Sequence, residues 1–329
     1  MIKSRVPTNA SIYFGLAAGV IYGFLIRFLF SNYHLQDYWA VMTIGFMFLF
    51  PFTLGILAVY FGEIDGPRSW KFRFFMPWVP ALLLLVIAGI IGWEGLICLI
   101  MALPVFLIMS SVGGLAAGIY SNARKSRGGK VPFVIFFLLA PLASSAIETR
   151  LPLPQSTRNV ETQITINAQP HLVWQNIERV REIKPEEQRL SFFHRIGFPR
   201  PVEATLSQEG IGGVRHATFE HGVLFVETIN KWEMDKKLAF SIKADTKSIP
   251  PTTLDEHVTV GGPYFDVLQG EYRIEPMSDG KVILHLSSQH RLSTRFNIYA
   301  GLWTDYIMRD IQQNILEIIK KRCESSPDK

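Results

Sequence analysis

Apolar and polar positions follow two different patterns along the chain. Through residue 147, long apolar runs are broken only by short polar gaps: 11–30, 38–61, 74–93, 95–120 and 131–147. Each run is close to the ~20 residues with which a helix crosses a ~30 Å hydrocarbon core. Lipid offers no water to backbone amides, so such runs are expected to be helical. The stretch 74–120 is too long for one helix at ~1.5 Å per residue. Gly92-Trp93-Glu94-Gly95 breaks it into a hairpin. The run 131–147 is the shortest and carries Pro141 and two serines.

Beyond a Pro-rich spacer at 149–158, with Pro152 and Pro154, the period changes. Residues 160–167 alternate and are β-branched, which predicts a strand. Pro170 opens a helix over 170–179, Pro being suited to a first turn. A second short helix is predicted around 185–190. Strands follow at 203–207, 213–220, 223–234, 238–244, 265–275 and 281–293, separated by turn pairs such as His221-Gly222 and Asp279-Gly280. Residues 296–321 return to helical spacing, with Leu302, Tyr306, Ile307, Ile311, Ile315, Ile318 and Ile319 near one stripe.

The expected fold is therefore an N-terminal α-helical membrane bundle of about five spans and a C-terminal α+β domain. Its parts are 1–148 (transmembrane), 149–158 (linker), 159–323 (the α+β domain) and 324–329 (disordered tail). An antiparallel sheet followed by one long amphipathic helix buries one face under that helix and leaves a cavity between them.

Charge separates the halves further. Residues 1–150 hold 11 Lys+Arg and 5 Asp+Glu, and the remainder hold 22 and 23, so the basic balance belongs to the apolar half. A basic nucleic-acid surface on the second half is unsupported, and nucleic acid is not an expected partner. Lys3, Arg5, Arg68, Lys71, Arg73, Arg124, Lys125, Arg127 and Lys130 all fall on one side of the five spans, and the other connections carry none. By the positive-inside rule the N-terminus is cytoplasmic, in an inner or plasma membrane, and five spans put the C-terminal domain outside the cytoplasm. If 131–147 does not cross, the same rule puts the domain inside. Arg27 in the first span either snorkels or faces a polar pathway. Gly15, Gly19 and Gly23 form small-xxx-small steps that serve either packing within the chain or a homo-oligomer seam. Cys98 lies in a span and Cys323 near the C-terminus, so there is no disulfide framework.

Candidate chemistry concentrates in the second half. Gly261, Gly262 and Pro263 form a turn after the run Asp255-Glu256-His257-Val258-Thr259-Val260. They deliver Tyr264 and Asp266 to a strand, where 264, 266 and 268 share a face. If Leu268, Tyr272 and Ile274 face inward, Tyr264 and Asp266 line the cavity mouth. On 281–293, Val282, Leu284, Leu286, Ser288 and His290 form the more apolar set, which brings His290 inward as a general base or a ligand hydrogen-bonding group. His216 stands in a third alternating set, with Thr218 and Glu220. Asp266, His290 and His216 are the candidate catalytic groups, although no spacing brings them together; the plainer reading is a surface loop and satisfied histidines. No metal-ligand spacing, P-loop or nucleophile elbow occurs, and no metal or cofactor is expected.

Several features resemble the START-like, or SRPBCC, helix-grip superfamily. They are the opening strand leading into Ala168-Gln169-Pro170-His171-Leu172-Val173-Trp174, the Gly210-Ile211-Gly212-Gly213 turn, the strands Asn230-Lys231-Trp232-Glu233-Met234 and Gly270-Glu271-Tyr272-Arg273-Ile274-Glu275, and the terminal helix. The resemblance covers about residues 158–323. It implies a cavity for a hydrophobic small molecule, and it does not by itself imply an enzyme. Residues expected against such a ligand are Tyr264, Asp266, Tyr272, Leu284, Leu286, His290, Trp303 and Tyr306. The function so implied is a membrane-tethered module that binds a lipid or other hydrophobic small molecule. The alternatives are a cyclase-, dehydratase- or hydrolase-type enzyme on a hydrophobic substrate, and a membrane interaction or assembly protein.

Overall fold

The computed structural model describes residues 9–35, 37–127, 132–189, 191–245 and 259–325. Lys3, Arg5, Lys130, most of 255–260 and the last four tail positions lie outside that range. The chain divides into two compact units, Met1–Leu153 and Pro154–Lys329.

The first unit is helical: α1 (Asn9–Ser31), α2 (Phe50–Gly62), α3 (Trp70–Phe75), α4 (Trp78–Ile91), α5 (Leu96–Arg127) and α6 (Pro132–Glu148). Among the described residues, four stretches are long and apolar enough to cross a membrane: Asn9–Ser31, Gly45–Gly62, Trp70–Ile91 and Leu96–Ala123. The fifth expected span is α6, a shorter apolar helix. The second begins at Gly45 rather than 38, with a π-helical turn over Gly45–Leu49 ahead of Pro51. Its start is set by a distant carboxylate: Ile44 and Gly45 donate their amides to Glu148 at 2.7 and 3.0 Å. A carboxylate there satisfies orphan donors and opposes the helix dipole. The α4–α5 hairpin closes on Gly92 in the left-handed conformation (φ 74°), with Trp93 donating to Ala88.

Close helix contact explains the glycines. A Cβ on Gly15 would strike the Ala58 carbonyl, and one on Gly19 or Gly23 would press on Pro80 or Leu84. The stripe thus packs against α2 and α4 of the same chain. Gly55 and Gly113 meet the Ser110 and Phe52 backbones in the same way, locking α2 to α5. Arg27 reaches the turn between α4 and α5. It is 5% exposed and donates to Glu94 at 2.7 Å and to the Trp93 carbonyl at 2.9 Å.

Among its described residues, the second unit holds one antiparallel sheet of seven strands in the order β1-β7-β6-β5-β4-β3-β2. The strands are β1 (Ser156–Ile166), β2 (Pro201–Leu206), β3 (Val214–Phe219), β4 (Val223–Glu233), β5 (Lys237–Asp245), β6 (Phe265–Pro276) and β7 (Val282–Leu292). β1 opens inside the range read as linker. Helices α7 (Pro170–Glu178) and α8 (Phe192–Arg195) intervene between β1 and β2, with a 3-10 turn at Pro185–Glu187 where a helix was expected. The long helix α9 (Asn297–Ser325) packs on the sheet and continues through Glu324 and Ser325, which were read as tail. Its buried residues Leu316, Ile319 and Cys323 join Trp174, Ile177, Leu238, Ile274 and Leu284 in the main core. Burying a side chain of that size is worth about 1.5–3 kcal/mol, so this face holds the helix to the sheet. Arg158 on β1 clamps the first part of α9 by donating twice to Asp305, at 2.8 and 2.6 Å.

Candidate functional site

Sheet and α9 flank a cavity that opens to solvent. The sheet wall carries Ala217, Phe225, Phe240, Val267, Tyr272 and Leu286, and the helix wall carries Ile307, Met308, Ile311 and Ile315. The predicted stripe is therefore right in its C-terminal part. Leu302 and Tyr306, 67% and 55% exposed, belong to the opposite side of α9.

The β6 strand carries the main correction. Its pairing with β7 shifts between Val267 and Gln269, so one extra residue, Leu268, enters the strand. A bulge of this kind reverses which residues face inward. Phe265 and Val267 line the cavity before it, and Gly270 and Tyr272 after it. Tyr264 and Asp266 consequently lie on the other face. Asp266 stands opposite Arg291, and burial pushes its carboxyl up while Arg291 opposes the rise. Burial also raises the Tyr264 hydroxyl.

His290 does point inward and is fully buried, but it lies outside the cavity lining. Its Nε2 is 3.3 Å from Thr304 Oγ1 and 3.6 Å from Asp305 Oδ1, and its ring rests on Phe265. Desolvation lowers its pKa, which keeps the imidazole neutral near pH ~7. His216 is exposed on the outer face of β3, while its neighbours Arg215 and Ala217 face in. β3 is four strands from β7 in the sheet, about 19 Å at ~4.8 Å per strand. The structure thus does not bring Asp266, His290 and His216 together. Among the other expected ligand residues, Tyr272 and Leu286 line the cavity, Leu284 lies in the core, and Trp303 and Tyr306 do not reach the lining.

Glu203, Ser288 and Gln312 line the cavity, together with a buried ion pair that the alternation did not single out. Arg215 and Glu227 face each other in register on β3 and β4, with Nη1 3.1 Å from Oε2 and side chains 2% and 10% exposed. The guanidinium lies 5.1 Å from the Phe240 ring centroid and 5.9 Å from that of Tyr272, a cation–π arrangement. Desolvation pushes the Glu227 carboxyl up and Arg215 opposes it; burial raises the Tyr272 hydroxyl to about 12. The signal was present in the alternation. Val223, Phe225 and Ile229 are inward apolar positions of β4, and Glu227 interrupts them.

No group of three or more His, Cys, Asp or Glu residues placed to hold a metal occurs among the described residues. No protein-family model matches the chain, and no curated protein does. Solved structures do resemble half of it. A START superfamily protein from Mycobacterium smegmatis is 9% identical over 50% of this chain and 97% of its own, with a TM-score of 0.34. The protein XoxI from Bacillus cereus is 13% identical over 51% and 96%, with a TM-score of 0.33. A norcoclaurine synthase point mutant from Thalictrum, in complex with a transition-state analogue, is 12% identical over 51% and 98%, with a TM-score of 0.31. Neither ligand nor activity is carried over from likenesses this distant.

Proposed function

We propose that this chain is a membrane-tethered binding module whose C-terminal unit holds a lipid or other hydrophobic small molecule at the bilayer surface. The observation that carries this reading is the cavity between sheet and α9, whose walls are predominantly apolar. Pockets with such apolar walls take apolar ligands and orient them through a few polar groups. The four long apolar helices support the membrane part of the reading. The short spacer after Glu148 keeps the second unit near the lipid, where such a ligand dissolves. In this reading the N-terminus is cytoplasmic and the second unit lies outside the cytoplasm.

The separation of Asp266, His290 and His216 leaves the enzyme reading without the shared ~3 Å geometry that proton transfer needs. An open cavity, rather than a core packed solid, supports ligand binding over a purely assembling scaffold. Native mass spectrometry of the full chain released from its membrane should find a hydrophobic molecule retained. Repeatedly empty preparations would overturn the reading. A reporter fused after Lys329 should be active on the extracytoplasmic side, and cytoplasmic activity would reverse the orientation.

A further inference from the structure

The side of α9 turned away from the sheet changes character along its length. In the first three turns its outward positions are Ile298, 90% exposed, with Leu302 and Tyr306, which are exposed as well. A spacing of four keeps them on one stripe, about 12 Å long at ~1.5 Å per residue. Phe192 of α8 is also exposed and widens the patch, since its neighbour Phe193 packs edge to face on Tyr306 at 5.1 Å. Further along, the same stripe carries Arg309, Gln313, Glu317 and Lys320, and the outward face turns polar. An exposed apolar patch of this kind marks a surface that something covers.

The place where α9 begins indicates what covers it. Asn297, the first residue of the helix, donates from Nδ2 to the Pro154 carbonyl at 2.9 Å. Pro154 follows Glu148, the last residue of α6, by six residues, which reach at most ~22 Å. In the tethered reading above, on which this inference rests, the apolar stripe therefore starts a short spacer away from lipid. A tethered surface meets its partner at high effective concentration, so a small patch suffices. The flanking residues suit lipid too. Tyr299 and Trp303 are half-buried beside the stripe, and Trp and Tyr favour the headgroup level. Arg295 precedes the stripe and Arg309 ends it, cations that suit lipid phosphate, while Asp305 on the same turns is already paired with Arg158. A protein partner fits less well, because four side chains fall far short of the roughly 20–30 residues a side of a stable interface. We infer that the first three turns of α9, with Phe192, form a ridge that docks into the headgroup boundary of the bilayer in which the chain is anchored. An apolar helix face lying at that boundary is buried there by the same burial that folds a core.

The test places the photo-crosslinker p-benzoylphenylalanine at Ile298 or at Leu302 of the full chain, in nanodiscs of phosphatidylcholine and phosphatidylglycerol. Both positions are exposed, so the substitution leaves the core intact. Two exposed or half-exposed positions serve as controls. Gln313 lies on the polar part of the same stripe, and Ile211, 70% exposed, is an apolar residue between β2 and β3, at the opposite end of the strands from Ser156. Intact mass after irradiation reports phospholipid adducts. The yield at Ile298 and Leu302 should exceed that at either control by about tenfold or more, the partition expected for burying one leucine-sized side chain. Yields at Ile298 and Leu302 no higher than at the controls, or crosslinks from them to protein rather than lipid, would overturn the ridge while leaving the tether standing. A chain that fails to enter nanodiscs at all would overturn the tethered reading itself.

Discussion

Arg215→Met, Glu227→Leu and the double variant form a thermodynamic cycle on the buried pair. In the wild type the two side chains, 2% and 10% exposed, compensate one another. Removing Arg215 alone leaves a carboxylate among apolar walls, and losing one partner of such a pair costs about 3–5 kcal/mol. Part of that cost is escapable, because the carboxyl can take up a proton. Burial already pushes the Glu227 pKa up and Arg215 holds it down, so Arg215→Met lets it rise further. A carboxyl whose folded pKa exceeds its unfolded one binds more protons in the folded state. Its contribution is complete below the unfolded value and is lost as pH climbs through the folded value. The Arg215→Met penalty should therefore be small near pH ~4 and full near pH ~7, with the ordinary carboxylate range in between. The double variant should lie within about 1 kcal/mol of wild type, so the cycle is strongly non-additive. Urea unfolding of Pro154–Lys329, which has its own core, reads this through Trp174 and Trp232, packed edge to face at 5.0 Å. A flat pH response in Arg215→Met, or simple additivity, would falsify the reasoning.

Other sites give smaller, separable effects. Burial depresses the His290 pKa, so the folded state binds fewer protons than the unfolded. Stability should fall as pH drops below about 6.5, and His290→Gln should flatten that slope in urea titrations. Arg158 holds the Asp305 carboxyl below its usual range, so that contribution is present above the ordinary carboxylate value and fades as pH falls through the folded one. Asp305→Asn should cost only about 1 kcal/mol, because the Arg158 side chain is 32% exposed and solvent screens the pair. A Cβ at Gly270 would stand 2.5 Å from the Phe240 ring, so Gly270→Val should push that ring into the cavity and reduce retained ligand. Undiminished retention would mean that Phe240 has room elsewhere.

Much of the fold was legible because periodicity reports burial. The strands from β2 to β7 and helix α9 were readable from alternation and from the 3.6-residue stripe, and each begins or ends within a few residues of expectation. The bulge at Leu268 was not readable. An inserted residue leaves the local composition unchanged yet inverts the facing of everything on one side of it. That inversion placed Tyr264 and Asp266 on the wrong face. Arg215 escaped for a related reason. β3 reads Val214-Arg215-His216-Ala217-Thr218-Phe219, where both parities mix polar and apolar residues, and only the register with β4 shows which is inward. In the helical unit, the start of the second span was hidden because a carboxylate more than a hundred positions away sets it.

The short helix α6 bears most on which side the second unit occupies. Its 17 residues rise about 26 Å, slightly less than a ~30 Å hydrocarbon core. Pro141 lacks an amide hydrogen and so frees the Phe137 carbonyl one turn earlier. Thr53 donates to that carbonyl at 2.9 Å, Tyr22 to Leu138 at 3.1 Å and Trp39 to Leu142 at 3.2 Å. Side chains of α1, α2 and the segment before the π-helical turn thus serve the backbone of α6. A helix lying in the interface would have water for those carbonyls and no need of such donors. If α6 crosses, as the proposed reading has it, an odd number of crossings separates Lys329 from the N-terminus. Thr53→Val with Tyr22→Phe removes two of the donors while preserving shape. It should loosen α6 and turn a single-sided C-terminal reporter into a mixed one. An unchanged reporter in that double variant would mean that hydrophobic length alone places α6.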